Sequence, residues 1–302
     1  MTLSLKRFSF QAMSAYCEIQ TYDESRINAK KITQELAVEI TRIEQKYSSG
    51  RTDNFLFEIN QSAGNRLGIK LDSETRALFD FAQQSYEQSD GVFDITATKL
   101  SNIWKSQGES EPSQKELDAL LPNVGFDKLQ RRKSRLYLPT GMEIDFGPII
   151  KEYATDHIAK LAKTLGTDHG LVNLGGDFGV IGPQPDNQPW VIGVANPTDK
   201  DALLAKIEVL EGGIASCGDF SKYLSIEGKD YNTLVNAKSG WPCTGLRAAT
   251  VASHLCTHSG SLARTALSLG EEEGLQRLIE EGVKFASIGH SGKIQGADIQ
   301  II

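Results

Sequence analysis

The sequence has few cysteines, and none of them lie close together. Only four of the 302 residues are cysteines, and no two of them form a C-x-x-C pair. A disulfide framework or a zinc knuckle is therefore not expected, and a reducing compartment is favoured. The four are Cys17, Cys217, Cys243 and Cys256.

The sequence also lacks long apolar runs and an excess of positive charge. No window approaches the roughly 20 apolar residues of a membrane span, and the first 20 residues lack the apolar core, about 7–15 residues long, of a signal peptide. We therefore predict no membrane span and a cytoplasmic location. The net charge is −7 and the pI is near 5.4, so no nucleic-acid partner is expected. An acidic chain can still hold a local basic pocket for an anion.

What is present is the composition of a globular protein, with 39% hydrophobic and 24% charged residues. Apolar residues three and four apart, from Ile32 to Tyr47, predict an amphipathic helix. A second helix is predicted from Ser73, as a candidate N-cap, to about Gln88. Further helices are predicted near 259–269 and 272–281.

Extended segments alternate irregularly with these helices. They are predicted at 8–20, 134–146, 170–182, 190–195 and 203–210, with 56–70 as strand or loop. Residues 107–118 are polar and indicate a surface loop that leads into a short helix. Because the order is not a regular βαβ alternation and no linker divides the chain, we predict an α+β fold with a single domain over residues 1–302.

The glycine-rich segment VNLGGDFGVIG at 172–182 follows an apolar run, as a dinucleotide-binding fingerprint would. That fingerprint must open a helix. The residues that follow, PQPDNQP, cannot form one, so we reject a Rossmann fold and predict a tight turn between two strands.

The segment IDFGPIIKEYATD at 144–156 predicts a corner between a strand and a helix. Asp145 ends the strand, Pro148 suits the first helical turn, and an apolar stripe continues to Gly166. A helix amino terminus offers unpaired N–H groups, so a phosphate site is predicted here, with Lys151 as an added cation. The alternative is a capping aspartate and a solvated lysine.

Other motifs occur in a fixed order along the chain. They are AMSA (12–15), SDGVFDITATKLSNIWK (89–105), LVNLGGDFGVIG (171–182), WVIGVANP (190–197), IASCGDFSKYLSIEGKDYNTLVNAKSGWP (214–242) and SLARTALSLG (261–270). Together with the 144–156 segment, they closely resemble the ApbE family, the FAD:protein FMN transferases. The motifs are weak singly and specific in combination.

The resemblance implies a single T-fold-like α+β domain with a deep flavin-binding cleft. It implies FAD as substrate and a divalent metal, usually Mg²⁺. The implied reaction moves FMN to a threonine hydroxyl of an acceptor flavoprotein and releases AMP. A hard cation with oxygen ligands would offset the negative charge that builds up at the pyrophosphate.

The resemblance also implies roles for individual residues. The flavin-binding set is Met13, Tyr47, Val92, Phe93, Asp94, Asp145, Lys151 and Leu234. Lys151 is in the catalytic set as well. The implied metal ligands are the backbone oxygen of Pro148 and the side chains of Ser261 and Thr265, the last two at i and i+4 on one helix face.

Two residues depart from the family pattern. Thr233 stands where the family has a histidine thought to accept the proton, and threonine is not a base near neutral pH. Ser261 stands where the family has the aspartate of D-x-x-x-T, so weak Mg²⁺ binding is expected. His254 or His258 is a candidate replacement base, and Asp177 or Asp219 a candidate replacement carboxylate.

These departures leave alternatives to the transferase. One is a degenerate family member that binds FAD or FMN as a carrier or sensor. The other is slow FAD pyrophosphate hydrolysis with water as the acceptor.

Overall fold

A computed structural model of the chain describes residues 2–106, 110–197, 199, 202–218, 224–226 and 228–302. Within these residues the chain forms eight α-helices and sixteen β-strands. The helices are α1 (Arg26–Tyr47), α2 (Phe55–Gln61), α3 (Ser73–Gln88), α4 (Thr98–Ser106), α5 (Gln114–Leu120), α6 (Gly147–Thr164), α7 (Cys256–Ser268) and α8 (Glu271–Glu280). The strands are β1 (Ser4–Ala12), β2 (Ala15–Asp23), β3 (Ile69–Lys70), β4 (Gln130–Arg132), β5 (Arg135–Tyr137), β6 (Gly170–Leu174), β7 (Asp177–Gly182), β8 (Trp190–Ala195), β9 (Leu203–Val209), β10 (Gly213–Gly218), β11 (Leu224–Ile226), β12 (Lys229–Tyr231), β13 (Ala248–Ser253), β14 (Lys284–Ile288), β15 (Ile294–Ala297) and β16 (Gln300–Ile301).

Eight of the described strands form one antiparallel sheet, in the order β1-β2-β6-β7-β10-β13-β14-β15. Smaller antiparallel sheets have the orders β16-β9-β8 and β3-β5-β4, and β11 pairs with β12. The mixture of helices with antiparallel sheets confirms the predicted α+β fold.

The two faces of the large sheet are covered by different elements. Leu171 and Val172 are neighbours in β6 and therefore point to opposite faces. Leu171 lies in a core with Trp190 and the other buried residues of β8 and β9. Val172 lies in a second core with Ile158 of α6 and the buried residues of α1 and α3. Helices therefore cover one face and a small sheet covers the other, which is a layered arrangement around apolar cores.

The predicted helices at 32–47 and 73–88 are confirmed. In α1 the residues at the predicted spacing, from Leu36 to Tyr47, are buried against the core. The N-cap of α3 is Asp72, whose Oδ1 accepts from the backbone N–H of Thr75 at 2.8 Å. The prediction of Ser73 as the cap is therefore wrong by one residue.

Two predicted segments differ from the structure. Residues 56–61 belong to α2, which Asn54 caps by accepting from the N–H of Phe57 at 2.9 Å, whereas 62–70 are turns and strand β3, as predicted. The predicted strand at 134–146 is reduced to Arg135–Tyr137, because the chain turns directly afterwards, where the N–H of Met142 donates to the carbonyl of Pro139. The predicted short helix after the polar loop is α5, while residues 107–109 of that loop lie outside the described residues.

All four cysteines fall in the described part of the chain and are free thiols. None of the helices in the described residues combines the length and the apolar character that crossing a membrane requires.

Glu74 of α3 ties three helices together. Its carboxylate accepts from Arg42 at 2.5 and 3.0 Å and from Lys46 at 2.7 Å, both on α1. The hydroxyls of Tyr47 and Tyr153, on α1 and α6, also donate to it. Burial alone would raise the pKa of Glu74, but the two cations outweigh this effect and lower it to about 2.

We predict that Glu74→Gln destabilises the protein and changes its response to acid. Because the pKa is lowered on folding, the stabilising contribution is present above the unfolded pKa of 4.5 and is lost as the pH falls towards about 2. The substitution should lower the free energy of unfolding at pH 7 by about 2–3 kcal/mol. Urea unfolding at several pH values between 7 and 3 should show that the free energy of unfolding falls less with acid in the variant than in the parent. The exposed Glu24→Gln is the control, and equal acid slopes in Glu74→Gln and the parent would contradict the prediction.

Candidate functional site

A cavity of about 380 Å³ lies between the loop after α3, the start of α6 and helix α7. Two adjacent cavities, of about 150 Å³ and 420 Å³, share Lys151 with it. We call the three together the cleft. Of the predicted site residues, the first cavity is lined by Phe93, Asp94, Asp145, Pro148, Lys151, Thr233 and Leu234. Met13 and Tyr47 line the cavity of 150 Å³.

Three predicted site residues are buried around the cleft and do not line its cavities. Val92 is 8% exposed, Ser261 2% and Thr265 1%. The carbonyl of Val92 accepts from the N–H of Ala237, which holds the 232–237 segment beside the loop after α3. That contact brings Thr233 and Leu234 to the cavity.

The tip of the β1–β2 hairpin reaches the cavity of 150 Å³. Met13 and Ser14 form its two-residue turn, and both have positive φ values, 51° and 57°. Such turns normally use glycine, asparagine or aspartate, because other side chains are strained in this region. The turn presents Met13 to the cavity, which the buried Tyr47 also lines. The Tyr47 hydroxyl lies 2.7 Å from that of Thr75.

The start of α6 does not offer the free N–H groups that the sequence predicted. The N–H of Gly147 donates to Asp145 Oδ1 at 2.7 Å, and Pro148 has no N–H. The N–H groups of Ile149 and Ile150 both donate to the carbonyl of Phe146 at 2.8 Å. The predicted phosphate site on open helix amides is therefore wrong, because Asp145 and the tight first turn already use those donors. Positive charge in the cleft comes from side chains.

Lys151 is one such cation, and it forms an ion pair with Asp177. Its Nζ lies 3.5 Å from Asp177 Oδ2, and the Asp177 side chain is 6% exposed. Burial raises the pKa of the Asp177 carboxyl, and Lys151 opposes part of the shift. Asp177 follows the turn at Gly175 and Gly176, both with positive φ, so the predicted tight turn is confirmed. A Cβ on Gly175 would lie 2.6 Å from that of Ala15, so glycine lets this turn approach the β1–β2 hairpin.

Asp94 is buried at the cleft with most of its acceptors in use. Its Oδ1 accepts from the N–H and the hydroxyl of Thr96, both at 2.8 Å, and its Oδ2 from the N–H of Phe126 at 2.7 Å. Burial raises the pKa of this carboxyl, although these bonds oppose the shift. The side chain thereby fixes the loop that carries Phe93.

Arg264 of α7 is a cleft residue that the sequence reasoning missed. Its Nη1 donates to Glu152 Oε1 at 2.5 Å and to the carbonyl of Pro148 at 3.0 Å, and its Nη2 donates to Glu152 Oε2 at 2.8 Å. Its Cζ lies 4.9 Å from the ring centroid of Phe93. Burial lowers the pKa of Arg264, but the Glu152 carboxylate outweighs burial, so the net shift is upward. The sequence signal was an arginine directly before Thr265, on a helix whose other residues, apart from His258, are small or apolar.

The two candidate replacement histidines lie elsewhere. His254 and His258 have ring centroids 4.6 Å apart and line a cavity of about 590 Å³. That cavity shares no described residue with the cleft, so neither histidine is placed to act there. Asp219, a candidate replacement carboxylate, lies outside the described residues.

Comparison with known proteins decides the family. The ApbE family model matches residues 13–286. The chain belongs to the ApbE family. It is 24% identical over 283 residues to the FAD:protein FMN transferase of Escherichia coli K12, covering 88% of this chain and 80% of that protein. It is likewise 24% identical over 282 residues to the enzyme of the same name from Haemophilus influenzae, covering 89% of this chain and 82% of the other.

Solved ApbE structures have the same fold. The crystal structure of the ApbE protein from Thermotoga maritima has a TM-score of 0.88 and 24% identity, covering 98% of this chain and 97% of the other. The apo flavinyl transferase ApbE of Pseudomonas stutzeri has a TM-score of 0.85 and 24% identity, covering 98% and 95%. The predicted family and its fold are thus confirmed.

The position of α7 at the cleft depends on a carboxylate from α6. Asp156 accepts from the N–H of Cys256 at 2.8 Å and from the N–H and hydroxyl of Thr257 at 2.9 and 2.8 Å. Leu255, at the N-cap of α7, has no side-chain oxygen to offer. Asp156 therefore caps α7 from a neighbouring helix.

We predict that Asp156→Ala costs about 2–3 kcal/mol of the free energy of unfolding, since buried N–H groups lose a charged acceptor. Urea denaturation at pH 7 measures this loss. Asp168→Ala, which removes an exposed carboxylate, should change stability by less than about 0.5 kcal/mol. A similar effect of the two substitutions would show that the cap contributes little.

Proposed function

We propose that this ApbE family member is an FAD:protein FMN transferase that moves FMN from FAD to a threonine hydroxyl of an acceptor flavoprotein. The observation that carries the proposal is the junction at Lys151, where three cavities meet at one cation. An extended dinucleotide needs several connected subsites, and its pyrophosphate needs a cation near their centre. The curated relatives named above support the same activity.

We assign the pyrophosphate to Lys151 and a ribose hydroxyl or ring N–H of FAD to the partly exposed carboxylate of Asp145. Met13, Tyr47, Val92, Phe93, Asp94 and Leu234 complete the proposed flavin site. Most of these residues line the cavities that meet at Lys151, which supports the assignment. A cytoplasmic location remains a prediction that rests on the sequence.

The transfer forms one bond and breaks one. The threonine oxygen of the acceptor attacks the phosphorus of the FMN half, a new P–O bond forms, and the pyrophosphate bond to AMP breaks. The hydroxyl proton must pass to a base. Thr233, which lines the cavity where the family has its histidine, cannot take it.

We propose Asp177 as that base. Of the described carboxylates with a raised pKa that line the cleft, Asp94 is used by three hydrogen bonds and Glu152 by Arg264. Asp177 is held less fully, by Lys151 at 3.5 Å and by one hydrogen bond from the backbone of Ser216. A raised pKa makes its carboxylate a better proton acceptor than an ordinary aspartate.

Mg²⁺, which the family resemblance implies, does not fit the ligand set present. The carbonyl of Pro148 accepts from Arg264, and the hydroxyl of Ser261 donates to Gln88 at 2.6 Å. The hydroxyl of Thr265 is buried with no hydrogen-bond partner among the described residues, and one neutral oxygen does not bind Mg²⁺, which needs about six oxygen ligands in octahedral geometry. The proposed reaction therefore contains no metal step.

The proposed activity is tested with an FMN-binding acceptor domain, FAD and the full protein. We expect the acceptor to gain the mass of FMN less one water, with one AMP released per adduct. The same domain with its target threonine replaced by alanine is the control and should gain nothing. AMP and free FMN without an adduct would identify a pyrophosphatase instead, and bound FAD without either product would identify a binding protein.

We predict that Asp177→Asn lowers the transfer rate by roughly 10²–10⁴-fold, the usual contribution of a general base. The single-turnover transfer rate is measured from pH 4 to pH 9. In the parent this rate should fall on the acidic side, at a pH above the ordinary aspartate pKa, and in Asp177→Asn this acidic fall should be absent. FAD affinity, from quenching of flavin fluorescence, should change little. The exposed Asp186→Asn should behave as the parent, and an unchanged pH profile in Asp177→Asn would assign the base elsewhere.

A further inference from the structure

A guanidinium lies against the backbone oxygen predicted to bind the metal. Arg264 Nη1 is 3.0 Å from the carbonyl oxygen of Pro148, and Arg264 lies on α7 between Ser261 and Thr265, the other two predicted ligands. A divalent cation bound to that oxygen would meet a like charge at contact distance. A divalent metal ion and the Arg264 guanidinium therefore compete for the same position beside the Pro148 carbonyl.

The guanidinium is fixed there by Glu152. The two hydrogen bonds between them, at 2.5 and 2.8 Å, use both oxygens of one carboxylate, which is the strongest geometry for this pair. Both side chains are buried, with 4% and 6% of their surface exposed. The ring of Phe93 lies on a further side, at 4.9 Å. Arg264 therefore cannot leave without stranding a buried carboxylate.

The backbone of α7 is shaped to accept this carboxylate. A Cβ added to Gly260 would lie 2.1 Å from the carboxyl carbon of Glu152. Only glycine lets the Glu152 carboxylate pack this closely against the helix. The ion pair therefore depends on at least three positions: Glu152, Gly260 and Arg264.

The same guanidinium faces the cleft. Arg264 lines the cavity that also holds Lys151 and Asp145, and its Nε has no hydrogen-bond partner within the described residues. A pyrophosphate at Lys151 would therefore lie near a second fixed cation, whose charge the paired Glu152 carboxylate offsets in part. An arginine keeps its charge at any pH at which the protein folds.

We propose that the Arg264 guanidinium, held by Glu152, takes the place of a divalent cation in this cleft, so that FAD binds without Mg²⁺. The inference rests on the proposed binding of FAD at Lys151. It concerns the pyrophosphate, whose negative charge a metal would otherwise offset.

The first test uses the unmodified protein. FAD titrations are followed by flavin fluorescence, once in EDTA and once in millimolar Mg²⁺. The two dissociation constants should agree within about twofold, whereas a metal that contributed about 1.4 kcal/mol to binding would separate them tenfold. Mn²⁺ alone, followed by electron paramagnetic resonance, should stay free. FAD binding that needs Mg²⁺, or tight Mn²⁺ binding, would overturn the inference and leave the proposed function standing. No FAD binding in either condition would instead overturn the proposed function.

The second test exchanges the two cations. The double variant Glu152→Ala/Arg264→Ala removes both members of the ion pair, so that no unpaired charge stays buried. Its FAD binding in EDTA should be weaker by roughly tenfold or more. Adding Ser261→Asp provides a carboxylate one turn from Thr265, and this triple variant should bind Mn²⁺ and recover FAD affinity only with metal. Arg132→Ala, which removes an exposed guanidinium, is the control.

Circular dichroism and thermal unfolding establish that each variant is folded. FAD affinity in EDTA that survives loss of the pair in a folded protein would contradict the role of Arg264. If the variants do not fold, the comparison of EDTA with Mg²⁺ and the Mn²⁺ measurement on the unmodified protein still decide the matter.

Discussion

The ion pair between Glu152 and Arg264 joins the two helices that form one side of the cleft. Burying two charges costs solvation free energy, and the pair is favourable only when its geometry recovers that cost. Here the bidentate contact, the Pro148 carbonyl and the Phe93 ring surround the guanidinium. The local arrangement of the cleft follows from this pair, including the glycine opposite the carboxylate.

Three charged residues of helix α6 point either to helix α7 or to the cleft. Glu152 and Asp156 are four residues apart, hence on one face, and both bind α7: one holds Arg264 and the other caps the helix. Lys151 is turned about 100° from Glu152 and lies at the cleft. Asp145, just before the helix, accepts from its first N–H. One amphipathic helix therefore both packs against the core and positions the charged side of the site.

Much of the fold could be predicted from local patterns, and the charged centre could not. The stripe after Pro148 and the spacing in α1 gave the correct helices, because burial of one face follows a period of 3.6 residues. Arg264 and Glu152 are 112 residues apart in the chain, and isolated charged residues are typical of exposed positions. The absence of open amides at α6 depends on where the Asp145 side chain turns, which no periodicity encodes.

A fixed guanidinium and an exchangeable metal differ in what they can do for a pyrophosphate. The guanidinium is always present and always charged, so its own charge does not vary with the metal concentration or with pH near neutrality. It carries one charge rather than two, spread over three nitrogens and offset in part by the Glu152 carboxylate. It donates hydrogen bonds at nearly 3 Å, whereas Mg²⁺ coordinates oxygen at about 2.1 Å. Its stabilisation of a developing anion is therefore weaker. A site that uses a guanidinium therefore has a lower maximal rate than one that uses Mg²⁺, but its rate depends less on the metal concentration. The remaining stabilisation of the transition state must come from positioning of the reactants by rigid elements such as α6 and α7.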